Sequence, residues 1–389
     1  MAGASSVRGT SQQKKIPPRQ NAVRIQAGDM DYTFLFIVIL LLFFGLVMLL
    51  SSSAPAGNTI YGNSYYFFIK QAACAGGGLV AMFFVSRLNY KIYKKFANPM
   101  LLVCILLLVC VLIPGIGLRL NGSRRWLNTP FVPLQPSEFM KPVIAMYFAK
   151  QIDTGKYNLK KLGGNLPFIG VLIIVLGLML METHLSGAIV IAGIGVTVMI
   201  AGGTPIKPML IGLLVIVPIG IITIHAASPV RWARVTSFLD PFKDIQNESY
   251  QVAQGLYAIG SGGIFGRGLG QSIQKYSYLP EPYNDFIFAI VCEELGLVGA
   301  AVVMLLFAAL ILRAIKIATN APDTYSSLVA LGIAAQLAIQ TILNIAVATS
   351  SIPNTGVSLP FFSYGGTSIL TLLVEMGVLL NISRYSIKD

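Results

Sequence analysis

One acidic residue stands where it could act on a substrate. Asp285 comes directly before a strongly apolar run and directly after the polar segment 278–284. At the mouth of a membrane helix a carboxylate can stay ionised, which is costly inside the bilayer. Asp285 is therefore favoured as a functional residue rather than a structural one. Glu293 and Glu294 lie about 12 to 14 Å deeper along a helix, and we expect each to pair with an interior arginine or lysine.

A second group of residues suits the binding of phosphate. Arg124 and Arg125 are adjacent and are followed by Trp126. Guanidinium groups bind phosphate through two parallel hydrogen bonds, so two arginines could hold a diphosphate. Anchoring to anionic lipid headgroups is the competing interpretation. Glu138 and Lys141 are three residues apart on a predicted helix, where they share a face and could pair.

Two segments rich in glycine or proline interrupt the apolar pattern. A nucleotide-binding interpretation of residues 261–270 requires a soluble βαβ unit, which is not credible here. A tight re-entrant turn, amides exposed to an anion, and a flexible linkage all remain open for these residues. Residues 353–368 break a membrane run, and irregular backbone at that depth must be buried or face a cavity. We expect them to share an outer cavity with Asp285.

The composition indicates the elements that position these residues. Hydrophobic residues make up 55% of the 389 and charged residues 11%, whereas a soluble domain carries about a quarter charged residues. Lipid-facing helices are the expected solution, since lipid cannot satisfy free backbone groups. We predict an all-α, polytopic membrane helix bundle of about ten transmembrane helices, with a long outer loop at about 227–285 between the seventh and eighth. The predicted spans are 31–51, 65–86, 99–118, 137–150, 166–182, 185–202, 209–226, 286–312, 326–349 and 361–383.

The N-terminal residues differ from the rest. Residues 1–30 are polar and basic and are predicted to form a disordered cytosolic tail, with 31–389 as the membrane domain. Ala54-Pro55-Ala56 resembles a signal-peptide cleavage site, but the preceding apolar run exceeds the usual 7 to 15 residues or so. A retained first helix is favoured.

Basic residues then orient the helices. Lysines and arginines concentrate in alternate loops, which predicts that both termini are cytosolic. The segment 119–135 disobeys this rule, because it places Arg119, Arg124 and Arg125 outside. Either the third span is misassigned, or these arginines have a function there. The four cysteines fall within predicted spans and are interpreted as packing residues, and His184 and His225 as isolated structural histidines.

Four motifs together resemble the SEDS family (shape, elongation, division and sporulation). They are Gly-Ser-Arg-Arg-Trp at 122–126, Gln-Pro-Ser-Glu-x-x-Lys at 135–141, Leu-Pro-Glu at 279–281 with Asp-Phe-Ile-Phe and Glu-Glu-Leu-Gly after it, and Leu-Pro-Phe-x-Ser-Tyr-Gly-Gly at 359–366. Residues 268–275 are more similar to the FtsW/SpoVE branch than to RodA. Tyr283-Asn284 departs from the His-Thr that many members have before the aspartate.

This resemblance implies an inverting peptidoglycan glycosyltransferase that polymerises lipid II on the outer face of the bacterial cytoplasmic membrane and releases undecaprenyl diphosphate. It implies that Asp285 is essential and that the protein acts in cell-wall biogenesis during division or sporulation, at the septum. The expected partners are a class B penicillin-binding protein (a single-pass transpeptidase), other divisome proteins and membrane lipids, but no nucleic acid.

The expected chemistry is compatible with these residues. Diphosphate is a good leaving group, so a second carboxyl acting as general acid is not required, unlike in glycosidases. Asp285 would serve as base, and Arg124, Arg125 and Lys275 would stabilise the departing diphosphate. The other predicted substrate-binding residues are Trp126, Glu138, Lys141, Glu281 and Ser363. A divalent cation, Mg or Mn, could share this task, although no ligand cluster demands one.

Two other functions remain open at this stage. A flippase that carries lipid II across the bilayer would also be a bundle with buried charges. The ionisable residues cluster at the outer mouth around Asp285 rather than along a path through the midplane, which favours catalysis. A scaffold that only recruits the transpeptidase would leave this acidic mouth unexplained.

Overall fold

The structure is a computed structural model that describes residues 28–120, 123–129, 133–212, 214, 236, 238–243 and 249–386. Most of the predicted tail at 1–30 and part of the predicted outer loop at 227–285 therefore lie outside the described residues. The helices are α1 (Tyr32–Tyr61), α2 (Tyr66–Arg87), α3 (Lys91–Leu112), α4 (Pro136–Asp153), α5 (Leu162–Met181), α6 (Leu185–Ala201), α7 (Tyr250–Gly262), α8 (Ile287–Thr319), α9 (Thr324–Ala348) and α10 (Gly366–Ser383). Two short strands, β1 (Gly117–Leu120) and β2 (Ser123–Leu127), lie between α3 and α4.

The predicted membrane helix bundle is confirmed. Among the described residues, seven helices are long and apolar enough to cross a bilayer, namely α1, α2, α3, α5, α8, α9 and α10. α6 is apolar but shorter, at 17 residues, and α4 is the charged helix predicted at 137–150. The span predicted at 209–226 lies largely outside the described residues, although residues 206–212 are helical. α4 is packed among α3, α6 and α9, and α2 lies against α10.

Several predicted boundaries were wrong. The third span was predicted at 99–118, but α3 ends at Leu112. Ile113 precedes Pro114, and a following proline disfavours the helical conformation, so Ile113 is extended with ψ of 124°. α10 begins at Gly366 rather than at 361, because Phe361 has a φ of +67°. α1, predicted to end at 51, continues to Tyr61, so most of the gap left between the first two predicted spans is helical.

An antiparallel hairpin, which the sequence analysis did not predict, follows α3. Cα pairing sets Leu118 opposite Trp126 and Arg119 opposite Arg124. The register shifts between these two pairs, which leaves Arg125 as the extra residue of a β-bulge.

The two ends of the described chain meet. The Gly28 amide donates to the Arg384 carbonyl (2.8 Å), and the Asp31 amide donates to Ser383 Oγ (3.1 Å). The Asp31 carboxylate caps α1 and accepts a charged hydrogen bond from Arg313 Nε (2.6 Å). Both ends therefore lie on one side of the bundle, as an even number of crossings requires.

α8 is interrupted at Gly296, where φ is +67° and ψ is −167°. The glycine-rich loop, residues 263–275, fills the break with its backbone. It donates amide hydrogen bonds to the carbonyls of Glu293 (3.0 Å) and Glu294 (2.9 Å) and accepts two from the residues directly after Gly296. Of the interpretations left open for this segment, a tight turn inserted among the helices is observed, and amides of the loop also bind carboxylates of the protein.

Substitution of Gly296 by alanine is expected to destabilise the protein by at least about 2 kcal/mol, because left-handed φ is unfavourable for alanine. The added Cβ would also lie 2.3 Å from the Gly266 amide nitrogen, a backbone atom that cannot rotate away. Thermal unfolding in detergent measures the change. Gly76→Ala in α2 is the matched control, since nothing lies within 4 Å of its Cβ. Equal unfolding temperatures for the two variants would contradict this account of the break.

Candidate active site

Asp285 lies just before α8 and is fixed there through its backbone. Its carbonyl accepts a hydrogen bond from Asn344 Nδ2 of α9 (2.8 Å), and the same amide group donates to the Val357 carbonyl (2.7 Å). Asn344 is fully buried. One amide side chain thus joins the Asp285 turn to the loop that precedes α10.

Two further hydrogen bonds join the same segments. Ser363 Oγ donates to the Asn284 carbonyl (2.7 Å) and accepts from the Leu359 amide (2.8 Å). The Tyr364 amide donates to the Tyr283 carbonyl (2.9 Å). Residues 353–368 therefore lie beside Asp285, as the prediction requires, and the outer cavity expected there stays a prediction. Ser363 itself is buried and engaged by backbone groups, so it positions the turn rather than offering its hydroxyl to a substrate.

The loop backbone comes unusually close to the Asp285 carboxylate at Gly356. This glycine has a φ of +70°, and a Cβ at its position would lie 3.2 Å from Asp285 Oδ2. Absence of a side chain here therefore leaves room beside the carboxylate oxygen. The conformation also favours glycine over any other residue.

The environment of Asp285 makes it a stronger base than an exposed aspartate. Burial and, to a lesser extent, the charge of Glu281 raise the pKa of its carboxyl from 3.8 to about 6, against the opposing charge of Arg125. A group with this pKa is ionised at neutral pH and still accepts a proton readily, which is the compromise that general-base catalysis favours.

Arg125 reaches the site from β2. Its Nη2 donates to the Thr183 carbonyl (2.6 Å) at the turn between α5 and α6, and its charge acts on both Asp285 and Glu182. Burial lowers the pKa of the Arg125 guanidinium, whereas the two carboxyl groups raise it. Asp285 and Arg125, two of the predicted site residues, thus lie close enough for their charges to interact.

The other predicted hairpin residues are placed differently. Arg124 lines a pocket with Arg119, Glu182 and neighbouring residues, and Arg125 is not among the lining residues. Trp126 is half-buried and paired with Leu118. Binding of one diphosphate by Arg124 and Arg125 together stays a prediction.

Glu138 and Lys141 form the predicted pair within α4. Lys141 Nζ lies 2.8 Å from Glu138 Oε2, and both residues are buried. His184, predicted to be structural, is buried near this pair, and burial together with Arg125 lowers the pKa of its imidazole to about 3. It is therefore neutral at physiological pH.

Lys275 is engaged by buried groups of the protein and not, as predicted, free to bind the substrate. Its Nζ lies 2.8 Å from Glu294 Oε1, 3.0 Å from Ser51 Oγ and 2.7 Å from the Gly270 carbonyl. An ammonium group has three donors, and these partners use all of them in a side chain that is 3% exposed. Lys275 is thus not available to the departing diphosphate as predicted, because it neutralises a buried glutamate instead.

The predicted pairing with basic residues is confirmed for Glu293 and Glu294, but only one of the two partners is interior. The buried Lys275 pairs with Glu294, whereas Arg267, whose Nη1 lies 3.4 Å from Glu293 Oε1, has a side chain that is 37% exposed. Amides of the glycine-rich loop complete the set, since Gly270 donates to Glu294 (3.0 Å) and Ile273 to Glu293 (2.9 Å). The anion that these amides bind belongs to the protein itself.

Glu281, another predicted substrate-binding residue, is exposed and adopts a φ of +45°. Its Oε2 accepts a hydrogen bond from Asn284 Nδ2 (2.9 Å). The Tyr283 ring is stacked on Phe67 with 4.6 Å between centroids. Tyr283 and Asn284, the residues that depart from the family pattern, therefore support the turn beside Asp285.

Glu182 has chemical properties that the sequence analysis missed. It ends α5 and is 1% exposed, and neither carboxyl oxygen has a hydrogen-bond partner. Burial raises its pKa to about 8, against the opposing charge of Arg125. No group of three or more histidine, cysteine or acidic residues in the described part of the chain could hold a metal ion.

Comparisons with known proteins agree on one family. Residues 32–388 match the family model FTSW_RODA_SPOVE, described as cell cycle protein. Stage V sporulation protein E of Bacillus subtilis is 40% identical over 309 residues, which cover 79% of this chain and 84% of that protein. The probable peptidoglycan glycosyltransferase FtsW of Trichlorobacter lovleyi is 40% identical over 299 residues, covering 76% and 78%.

Solved structures show the same fold. One solved structure superposes on this chain with a TM-score of 0.79 at 26% identity, covering 92% of this chain and 99% of the other. Its description reads "Structural coordination of polymerization and crosslinking by a peptidoglycan synthase complex". The crystal structure of the rod shape determining protein RodA of Thermus thermophilus gives a TM-score of 0.69 at 25% identity, covering 92% and 98%.

Proposed function

The chain belongs to the FtsW/RodA/SpoVE family of cell cycle proteins, and we propose on this basis that it is a peptidoglycan glycosyltransferase that polymerises lipid II. The observation that carries the proposal is the Asp285 site. A carboxyl group with a pKa of about 6 lies outside the membrane-spanning part of α8, in the electrostatic field of Arg125. This arrangement offers a base for a hydroxyl group and a cation for a leaving diphosphate.

The reaction follows from these two groups. The 4-hydroxyl of the acceptor sugar attacks the anomeric carbon of the donor, and the new carbon–oxygen bond forms as the bond to the diphosphate oxygen breaks. The Asp285 carboxylate takes the hydroxyl proton, and the electron pair of the broken bond leaves with undecaprenyl diphosphate. Attack opposite the leaving group inverts the anomeric centre.

Arg125 is proposed to stabilise the charge that develops on the diphosphate. Its guanidinium is held by the Thr183 carbonyl (2.6 Å), so it need not reorganise during the reaction, which is the condition for strong electrostatic catalysis. Glu138 and Lys141 stay in the proposal as the buried pair behind this site, and Trp126 as an interfacial contact for the lipid.

The protein's surroundings are part of the proposal. We place the Asp285 side of the bundle outside the cytoplasmic membrane and both termini in the cytosol, at the division septum. A class B penicillin-binding transpeptidase would act on the new strands. The similarity to a complex that coordinates polymerization and crosslinking supports this partner.

Polymerisation of purified lipid II tests the function. The full-length protein, solubilised with its cognate transpeptidase, is expected to produce glycan strands that muramidase degrades. Reconstitution of the same preparation into vesicles with fluorescent lipid II tests the alternative. Transfer of the lipid between leaflets without strand formation, beside an active control polymerase, would replace the proposed function with that of a flippase.

Strand formation is expected to depend on the ionisation of Asp285. The carboxylate is the reactive form, so below about pH 6 the rate should fall about tenfold per pH unit, and above that pH it should level off. Initial rates from about pH 5 to about pH 8, with thermal unfolding measured at each pH, give the profile. A rate that rises as the pH falls through 6 would indicate an acid and contradict the assignment.

A further inference from the structure

A row of aromatic rings leads from the end of α1 to the turn that carries Asp285. Tyr61, the last residue of α1, is stacked on Tyr66 of α2, with 3.7 Å between the ring centroids and 15° between the planes. Phe67 lies edge-on to Tyr66 at 5.4 Å and is stacked on Tyr283 at 4.6 Å. Tyr283 comes two residues before Asp285. These four rings, the aromatic row, therefore end at the proposed base.

The inner part of the aromatic row is held rigidly by the loop before α10. Phe67 is 7% exposed, and its ring also contacts Tyr364 edge-on at 5.0 Å. The Tyr364 amide donates to the Tyr283 carbonyl (2.9 Å). Gln71, one turn after Phe67 in α2, accepts a hydrogen bond from the Gly365 amide (3.0 Å). Both α2 and the turn before α8 are thus joined to this loop, so the rings keep their places beside the base.

The ring at the other end of the aromatic row has an open face. Stacking on Tyr66 covers one face of the Tyr61 ring, yet Tyr61 is 51% exposed. A polar group lies at the rim, because Lys70 Nζ donates to the Tyr66 hydroxyl (2.6 Å) and lies 4.3 Å from the centroid of that ring. An ammonium group has three donors, so Lys70 can also donate to an oxygen of a ligand.

Anchoring in the membrane interface is the other explanation for tyrosines at the end of a membrane helix. An anchoring tyrosine inserts among lipids and needs no partner ring. The aromatic row instead stacks ring on ring, includes a buried phenylalanine and continues to a carboxylate that is proposed to act on a sugar. C–H groups on one side of a pyranose pack well against the negative face of an aromatic ring. Flat faces beside such a carboxylate therefore suit a carbohydrate.

We propose that the aromatic row binds pyranose rings of the glycan on which Asp285 acts. The open face of Tyr61 is the stacking surface, and Lys70 donates to hydroxyl or acetamido oxygens of the sugar. This inference rests on the proposed polymerisation of lipid II, which supplies N-acetylated pyranoses with β-linkages in the product. It also gives a function to Tyr283, which departs from the histidine that many members have at this position.

Saturation-transfer-difference NMR with chitotetraose, a soluble β-linked oligomer of N-acetylglucosamine, tests the aromatic row. The aromatic protons of the full-length protein are irradiated in a detergent without sugar headgroups. We expect the strongest transfer to the axial protons on carbons 1, 3 and 5, which share one face of the sugar ring. Tyr61→Leu keeps an apolar side chain but removes the flat face, so it should weaken binding at least about fivefold, or about 1 kcal/mol. Tyr61→Trp keeps a flat face and should retain binding.

Tyr32→Leu is the matched control, since it makes the same change at the other end of α1, at a residue that is 63% exposed. Its affinity for chitotetraose should equal that of the wild type. Absence of transfer in the wild type would overturn the proposal. An affinity of Tyr61→Leu within about twofold of the wild type, at an unchanged unfolding temperature, would overturn it as well, and so would equal losses in Tyr61→Leu and Tyr32→Leu.

Polymerisation of lipid II by the same preparations keeps this proposal separate from the proposed function. Strand formation without any binding of chitotetraose would refute the role of the aromatic row and leave the polymerase assignment intact. Binding that depends on Tyr61 in a protein that forms no strands would support the aromatic row as a carbohydrate site and refute the polymerase assignment.

Discussion

Replacement of Asp285 by asparagine is expected to reduce glycan-strand formation at least about 100-fold. General-base catalysis contributes about 10² to 10⁴ in rate, and asparagine has a similar shape but cannot accept the proton. The measurement is single-turnover polymerisation of lipid II by the complex with the transpeptidase, so that product release does not mask the chemical step. Alanine at the same position should give a similar loss, because both substitutions remove the carboxylate that accepts the proton.

The loss should be catalytic and not structural. Burial raises the pKa of Asp285, which means that the environment disfavours its ionised form. A neutral asparagine is therefore expected to fold at least as stably as the wild type, and the backbone bond from Asn344 Nδ2 does not involve the substituted atoms.

Asp240→Asn is the matched control, since it makes the same change at an exposed position in the segment between α6 and α7. Its rate should equal that of the wild type. Full activity of Asp285→Asn at normal expression would refute the assignment of the base. Equal losses in both variants would point to the net charge of the outer surface instead.

Most of the membrane helices could be predicted because burial in lipid imposes long apolar runs. The ends of the helices were harder to predict. α3 stops at Leu112 because Pro114 follows, and the apolar residues after it continue into a strand. Hydropathy alone cannot distinguish an apolar strand from the last turn of a helix, so the proline was the better indicator.

The arrangement of the two hairpin arginines also had a sequence signal. Asn121-Gly122 lies between β1 and β2 in the sequence, and Asn-Gly between short alternating runs is a strong hairpin signal. Recognition of the hairpin would have set Arg124 opposite Arg119, although the β-bulge at Arg125 would still have been missed. Treated as a loop, the segment suggested two arginines on one diphosphate.

The partners of buried charges could be predicted in kind but not in identity. Glu293 and Glu294 were expected to need a basic partner because of the cost of a buried charge. Lys275 was nevertheless assigned to the substrate, because nothing local shows that residues 263–275 fold into the break in α8. Glu182 had no local signal at all, since its burial depends on the hairpin and the turn after α5.

The ion pair of Lys275 and Glu294 joins the glycine-rich loop to the helix that follows Asp285. Both side chains are buried, at 3% and 0% exposure, and Ser51 of α1 contacts both of them. Loss of one member leaves an uncompensated charge inside the bundle, and breaking buried pairs in this way costs about 3–5 kcal/mol. Loss of both members removes the charge as well as the pair.

Lys275→Met is therefore expected to destabilise the protein by about 3–5 kcal/mol, whereas Lys275→Met combined with Glu294→Gln should be less destabilised than the single variant. Unfolding of each purified protein in mixed micelles measures the free energies, and the wild type, Lys275→Met, Glu294→Gln and the double variant form a double-mutant cycle. Lys243→Met, which removes an exposed lysine from the segment between α6 and α7, should be neutral. A double variant no more stable than Lys275→Met would show that the amides and Ser51 hold Glu294 without the lysine. Recovery in the double variant would show that the glycine-rich loop stays in the break of α8 because Lys275 neutralises the charge of Glu294.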